Sequence, residues 1–118
     1  VKPSRWAALL TLVAVPAAGE PGAAYPEFDD PQLRLGRAVW LANCRDCHAN
    51  PLSDAPQVKD KAAWAARLAK GRDTLYVHAL VGFIGPAGTE MPPRGGNASL
   101  TDAEVRAAVD YMIILVTP

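Results

Sequence analysis

Residues 31–48 read PQLRLGRAVWLANCRDCH, a helical pattern that runs straight into Cys44-Arg45-Asp46-Cys47-His48. Asp30 can cap this helix and Pro31 suits its first turn. Leu33, Gly36, Val39 and Trp40 recur at helical spacing, so that face should meet a core. The spacing predicts a helix from about Pro31 to Asn43, ending at the cysteines. Residues 44–48 match C-x-x-C-H, the attachment pattern for a c-type haem. Two thiols about one helical turn apart can reach the two vinyl groups on one side of a haem. The adjoining His48 can then turn its imidazole toward the iron.

Three other readings compete for the same residues. A redox C-x-x-C sits at a helix start after a strand, whereas this one closes a helix in an all-helical pattern. A zinc site could count Cys44, Cys47, His48 and His78. Structural zinc sites space their paired ligands by two to five residues, and Cys47 and His48 are adjacent. A buried Cys44–Cys47 disulfide is the third.

The totals fit a small exported domain. The chain has 118 residues, with 12 Lys and Arg against 12 Asp and Glu. No basic excess points to nucleic acid, and no charged tail appears. Lys2 and Arg5 precede the apolar run Trp6–Val15. Pro16 ends that run, and small residues come after it. This is the order of a secretory signal peptide, and the run is shorter than the roughly 20 apolar residues a bilayer span needs. Residues 1–24 are therefore expected to be a leader cleaved before Tyr25, with retention as an anchor the alternative. Residues 25–118 form the domain. Export places it in an oxidising compartment such as the periplasm. A domain of about 90 residues benefits from a staple, and a buried cofactor would serve.

Beyond the motif, three further helices are expected. One spans about Asp60–Lys70 and one about Asp73–Val81, closed by Gly82. The last begins at the capping box Thr101/Glu104 and carries Val105, Ala108, Val109, Met112 and Leu115 on one stripe. No alternation is long enough for a sheet, and residues 82–99 should be an irregular loop. If His48 takes one face of an iron, the second ligand could be His78, Met91 or Met112. His78 is predicted mid-helix, and Met112 lies on a packing stripe. Met91 sits in Gly-Thr-Glu-Met-Pro-Pro-Arg-Gly-Gly, where Pro92 forces the preceding residue to be extended. Such a loop can turn a thioether inward.

From Gly36 to Leu115 the chain resembles a class I c-type cytochrome, closest to the cytochrome c5 kind. The matching pieces are GRAVWLANCRDCH, AAWAARLAKG, EMPPRGG and SLTDAEVRAAVDYMIILV. The resemblance implies an all-α fold of about four helices wrapped around one haem c. It implies Cys44 and Cys47 as thioether anchors, His48 as the proximal iron ligand and Met91 as the distal one. Pro56 falls where a backbone carbonyl accepts the Nδ1–H of the proximal histidine. Trp64 and Arg67 match a W-x-x-R near a haem propionate, and Pro92 belongs with the haem contacts. Gly36 and Tyr111 match a close crossing of the first and last helices. Some relatives carry a second cysteine pair near the loop. This chain lacks it, which puts loop stability in question and not haem binding.

The function implied is one-electron transfer and not enzymatic catalysis. His/Met ligation leaves the iron no open position and favours the ferrous state relative to bis-His ligation. Redox proteins are the expected partners of a monomer, with a membrane involved only through a retained leader or a partner complex. Arg45 and Arg94 are candidates for steering an acidic partner. The alternatives are a dedicated cytochrome subunit, suggested by the apolar end Ile113–Val116, and a haem enzyme or sensor, which would need Met91 not to be a ligand.

Overall fold

The computed structural model describes residue 14 and residues 24–118, so the leader expected over residues 1–24 lies almost wholly outside the described residues. Helix α1 (Pro31–Val39) starts where Asp30 accepts the Leu33 N–H at 2.9 Å. It does not stop at Asn43. A π-helical stretch (Trp40–Cys44) carries it into α2 (Arg45–His48), so the motif lies within a continuing helix. Helix α3 (Lys61–Leu68) is capped by Asp60, which accepts the Ala63 N–H at 3.1 Å. Helix α4 (Arg72–Val81) ends at Gly82, whose φ of +87° is one that side-chain-bearing residues rarely adopt. Helix α5 (Asp102–Val116) has both halves of the Thr101/Glu104 box in place.

The stretch 82–99 is less irregular than the sequence suggests. Two short strands, β1 (Phe83–Ile84) and β2 (Glu90–Met91), pair antiparallel with Phe83 opposite Met91. A 3₁₀ turn (Pro93–Gly96) comes next. Two residues per strand are too few to show alternation, which is why no sequence pattern announces them.

Helices α1 and α5 cross at Gly36. A Cβ there would lie 2.1 Å from the Ala107 carbonyl oxygen and 2.9 Å from Tyr111 Cβ. Trp40, Tyr111 and Val116 are fully buried, with Val58, Trp64 and Met112 completing the main core. The Tyr111 hydroxyl donates to the Pro26 carbonyl at 2.8 Å, tying the chain's lead-in to α5. On the other side the Tyr76 hydroxyl donates to Asp110 Oδ1 at 2.5 Å, joining α4 to α5.

These two phenols give the fold an alkaline limit. Burial raises the pKa of both above the usual tyrosine value; the Asp110 carboxylate adds to the rise at Tyr76, while Arg37 partly opposes it at Tyr111. A group whose folded pKa is raised contributes stability that is complete below its unfolded pKa, about 10 for tyrosine. That contribution is lost as pH rises through the folded pKa. The thermal midpoint should therefore fall as pH rises above about 10, and Tyr76→Phe should flatten that fall. An unchanged slope in the variant would rule Tyr76 out as a source.

Candidate haem site

The site is built on the run 31–48. The Arg45 N–H reaches the Trp40 carbonyl five residues back, the π pattern. Each extra residue in a turn rotates the next part of the helix by about 100° relative to a regular one. The motif residues that follow are therefore rotated relative to α1, and Cys44 packs against the core that includes Tyr111 and Met112. The Asn43 side-chain amide donates to the Val39 carbonyl at 3.2 Å, and the Cys44 thiol lies 4.0 Å from the same oxygen.

His48 is buried. Its Nδ1 lies 2.9 Å from the Pro56 carbonyl oxygen, which can only accept, so Nδ1 carries the proton. That leaves Nε2 with a free lone pair, the form a metal takes. Burial holds the His48 pKa below the ordinary imidazole value, partly opposed by the Pro56 bond, while the nearby Arg67 charge lowers it further. The ring is therefore neutral at pH 7. The segment after it is strapped down: the Val58 N–H donates to the His48 carbonyl at 2.9 Å, and Gln57 Nε2 donates to the carbonyls of Cys47 at 3.0 Å and Ala55 at 2.9 Å.

Cys44 and Cys47 are free thiols, one half-buried and one exposed. Burial pushes the Cys44 thiol up to about 11, with the neighbouring Cys47 and Asp46 adding to the rise. It remains S–H at neutral pH. Cys44 and Met91 line the same apolar cleft, with Val39, Ala79, Val105, Val109 and Met112 among its walls. Met91 is extended on β2, as Pro92 after it requires, and Pro92 itself is extended and exposed. Met112 is also in the cleft wall but is packed into the main core.

Trp64 is buried with its ring centroid 5.8 Å from that of His48. Its single N–H donates to the Gln57 carbonyl at 3.0 Å, so that donor is already taken. The Arg67 guanidinium lies 5.9 Å from the Trp64 ring and donates to the Ala63 carbonyl. His78 stacks on Phe83 at 4.0 Å and is not in the cleft wall. Arg94 donates to the Leu100 carbonyl at 2.9 Å and pairs with Asp102 at 2.6 Å. It shapes the loop and is not a free steering charge. Gln57, Asn43 and Asn97 escape a reading of the sequence, because each acts through a partner that no local pattern points to.

The donor set fits haem c. Two thiols three residues apart, a neutral imidazole with its far nitrogen free and an apolar cleft wall carrying a thioether are what covalent attachment and axial ligation require. Among the described residues no cluster of three or more His, Cys, Asp or Glu could hold a metal, so the four-ligand zinc arrangement does not assemble. The C-x-x-C lies within a continuing helix, unlike the helix start that a redox C-x-x-C occupies.

Known proteins agree with this chemistry. The family model described as cytochrome c oxidase, cbb3-type, subunit III matches residues 31–112. Cytochrome c-555 of Chlorobaculum tepidum is 49% identical over 78 residues, covering 66% of this chain and 71% of that one. Cytochrome c5 of Azotobacter vinelandii is 40% identical over 81 residues, covering 67% and 92%. A chain from a crystal structure of the electron transfer complex of nitrite reductase with cytochrome c superposes with a TM-score of 0.61 at 41% identity. That match covers 75% of this chain and 98% of the other.

Proposed function

Because the chain belongs to the class I monohaem c-type cytochromes and so carries covalently bound haem c, we propose that it is a periplasmic one-electron carrier with His48 and Met91 as the axial ligands. Haem c supplies a one-electron couple between Fe(III) and Fe(II). The chain's residues hold, orient and insulate it. Cys44 and Cys47 would hold it through two thioethers, each S–H adding across a vinyl group so that sulfur takes one carbon and hydrogen the other. The Pro56 carbonyl fixes the His48 ring and makes its Nε2 a better donor. Met91 offers a neutral, soft sulfur, which favours the ferrous state. With both axial positions filled by the protein, no position remains for a substrate, which makes it a carrier and not an enzyme.

The observation that carries this reading is the shared cleft wall of Cys44 and Met91. A pyridine haemochrome spectrum should show two thioether linkages. The ferric protein should show the weak red charge-transfer band of iron–thioether bonding, unchanged in His78→Ala. A haemochrome with fewer than two linkages, or a red band lost with His78, would refute the assignment.

Export is supported by the charged start and apolar run of residues 2–15. Among the described residues no helix is long and apolar enough to cross a membrane. The proposed partners are redox proteins: the chain of similar fold was solved in complex with one. Exposed Cys47 marks where the haem edge should approach them. The subunit reading gains one support, the name of the family model. The apolar end supports it less, because Val116 is fully buried and Ile113 and Leu115 pack against the core clusters, leaving Ile114 exposed; a retained leader, its other motive, lies outside the described residues. Native protein starting near Tyr25 and migrating as a soluble monomer would favour the carrier.

A further inference from the structure

The Met91 loop is held in three directions. Upstream, Phe83 pairs with Met91 in the small sheet. Downstream, Arg94, at a left-handed φ of 55°, binds the Leu100 carbonyl and Asp102 at the start of α5. These ties join the loop to α4 and α5. The third runs across to the motif helix: Asn97 Nδ2 donates to Asn43 Oδ1 at 2.8 Å, half-buried and 54 residues apart in sequence. Asn43 directly precedes Cys44.

The orientation of both amides is settled by their other bonds. Asn43 Nδ2 is used on the Val39 carbonyl, at the edge of the π stretch. Asn97 Oδ1 accepts the Ser99 N–H at 3.1 Å. The relay therefore runs from the Ser99 N–H through Asn97 and Asn43 to the accepting Val39 carbonyl, with no freedom for either amide to flip without losing a bond.

We propose that Asn97 is a positioning residue whose bond to Asn43 latches the Met91 loop to the haem-attachment helix and so keeps the Met91 sulfur at the iron. The proposal rests on the His48/Met91 reading above. The latch acts on the fraction of time that the sulfur is away from the metal. An outside ligand binds only that open fraction, so its apparent rate and affinity report the latch directly.

The test uses ferric holoprotein and imidazole as the entering ligand. Asn97→Ala and Asn43→Ala should each bind imidazole about tenfold faster than wild type, equivalent to about 1.4 kcal/mol. They should also lose the red band at lower pH. The double variant should fall well short of the product of the two single effects, because both remove one shared bond. Asn97→Asp keeps the size and the acceptor for Ser99 but sets a carboxylate oxygen against Asn43 Oδ1, so it should be at least as fast as Asn97→Ala. The thermal midpoint of the ferrous forms should move little, which separates a latch from general loosening. Single variants within twofold of wild type, or rates that multiply in the double variant, would overturn the latch while the wild-type band stands. A wild type with no red band would overturn the ligation and the latch together.

Discussion

Met91→Ala should abolish the red charge-transfer band of the ferric protein and lower its reduction potential on the order of 0.1 V or more, within the span of about 0.8 V that axial ligands command. The sign comes from the donor. A thioether is neutral and soft and stabilises Fe(II); water or hydroxide in its place is hard and stabilises Fe(III). The variant also opens a coordination position, so it should bind imidazole or cyanide readily. The companion variant is Met112→Leu. Met112 shares the cleft wall but is 8% exposed and packed with Trp40 and Tyr111. A volume-conserving swap there should cost less than about 1.5 kcal/mol and leave the band in place. A band that survives Met91→Ala, or disappears with Met112→Leu, would move the ligand to α5.

The two methionines differ in how much of their setting a sequence can carry. Helix ends written in local chemistry were legible: the Asp30 cap, the Thr101/Glu104 box and Gly82 as a stop all lie where their residue types place them. So was the extended Met91, because Pro92 restricts its neighbour whatever the fold does. The carbonyl of Pro56 at His48 was legible only through the family resemblance, since any backbone carbonyl looks alike in a sequence. The π stretch over Trp40–Cys44 was not legible. The extra residue in that turn is stabilised by tertiary packing and by the side chains of Asn43 and Cys44 at the Val39 carbonyl, and no residue type signals it. The Asn43–Asn97 bond was hidden for the same reason. Its two halves are ordinary loop and helix-end asparagines until the fold brings them together. Arg94 reads as a steering charge in the sequence because its partners Leu100 and Asp102 become neighbours only once the loop turns left-handed at that residue.

Gly36→Ala should be among the most destabilising single-methyl changes in the chain, with a loss of about 3 kcal/mol. In an isolated helix the same change would help, since alanine exceeds glycine by about 1 kcal/mol. The crossing reverses the sign. The new Cβ would sit 2.1 Å from the Ala107 carbonyl oxygen and 2.7 Å from its carbon, both helix backbone, and 2.9 Å from Tyr111 Cβ. Backbone cannot rotate aside as a side chain can, so α1 and α5 must separate. Separation unpacks Trp40 and Tyr111, both fully buried. For a domain of this size each kcal/mol shifts the thermal midpoint by about 4–8 °C, so a drop of about 12–24 °C is expected in the ferrous protein. Gly88→Ala is the control: its φ of +80° makes alanine strained, but nothing lies within 4 Å of the new methyl, so its cost should stay near about 1–2 kcal/mol. The effect of Gly36→Ala should also reach the iron. Val105, Val109 and Met112 on α5 form part of the cleft wall opposite Cys44. A displaced α5 widens that cleft, so the red band should weaken at a lower temperature than global unfolding. A midpoint within a few degrees of wild type, with the band intact, would mean that the two helices have slack that this crossing does not show.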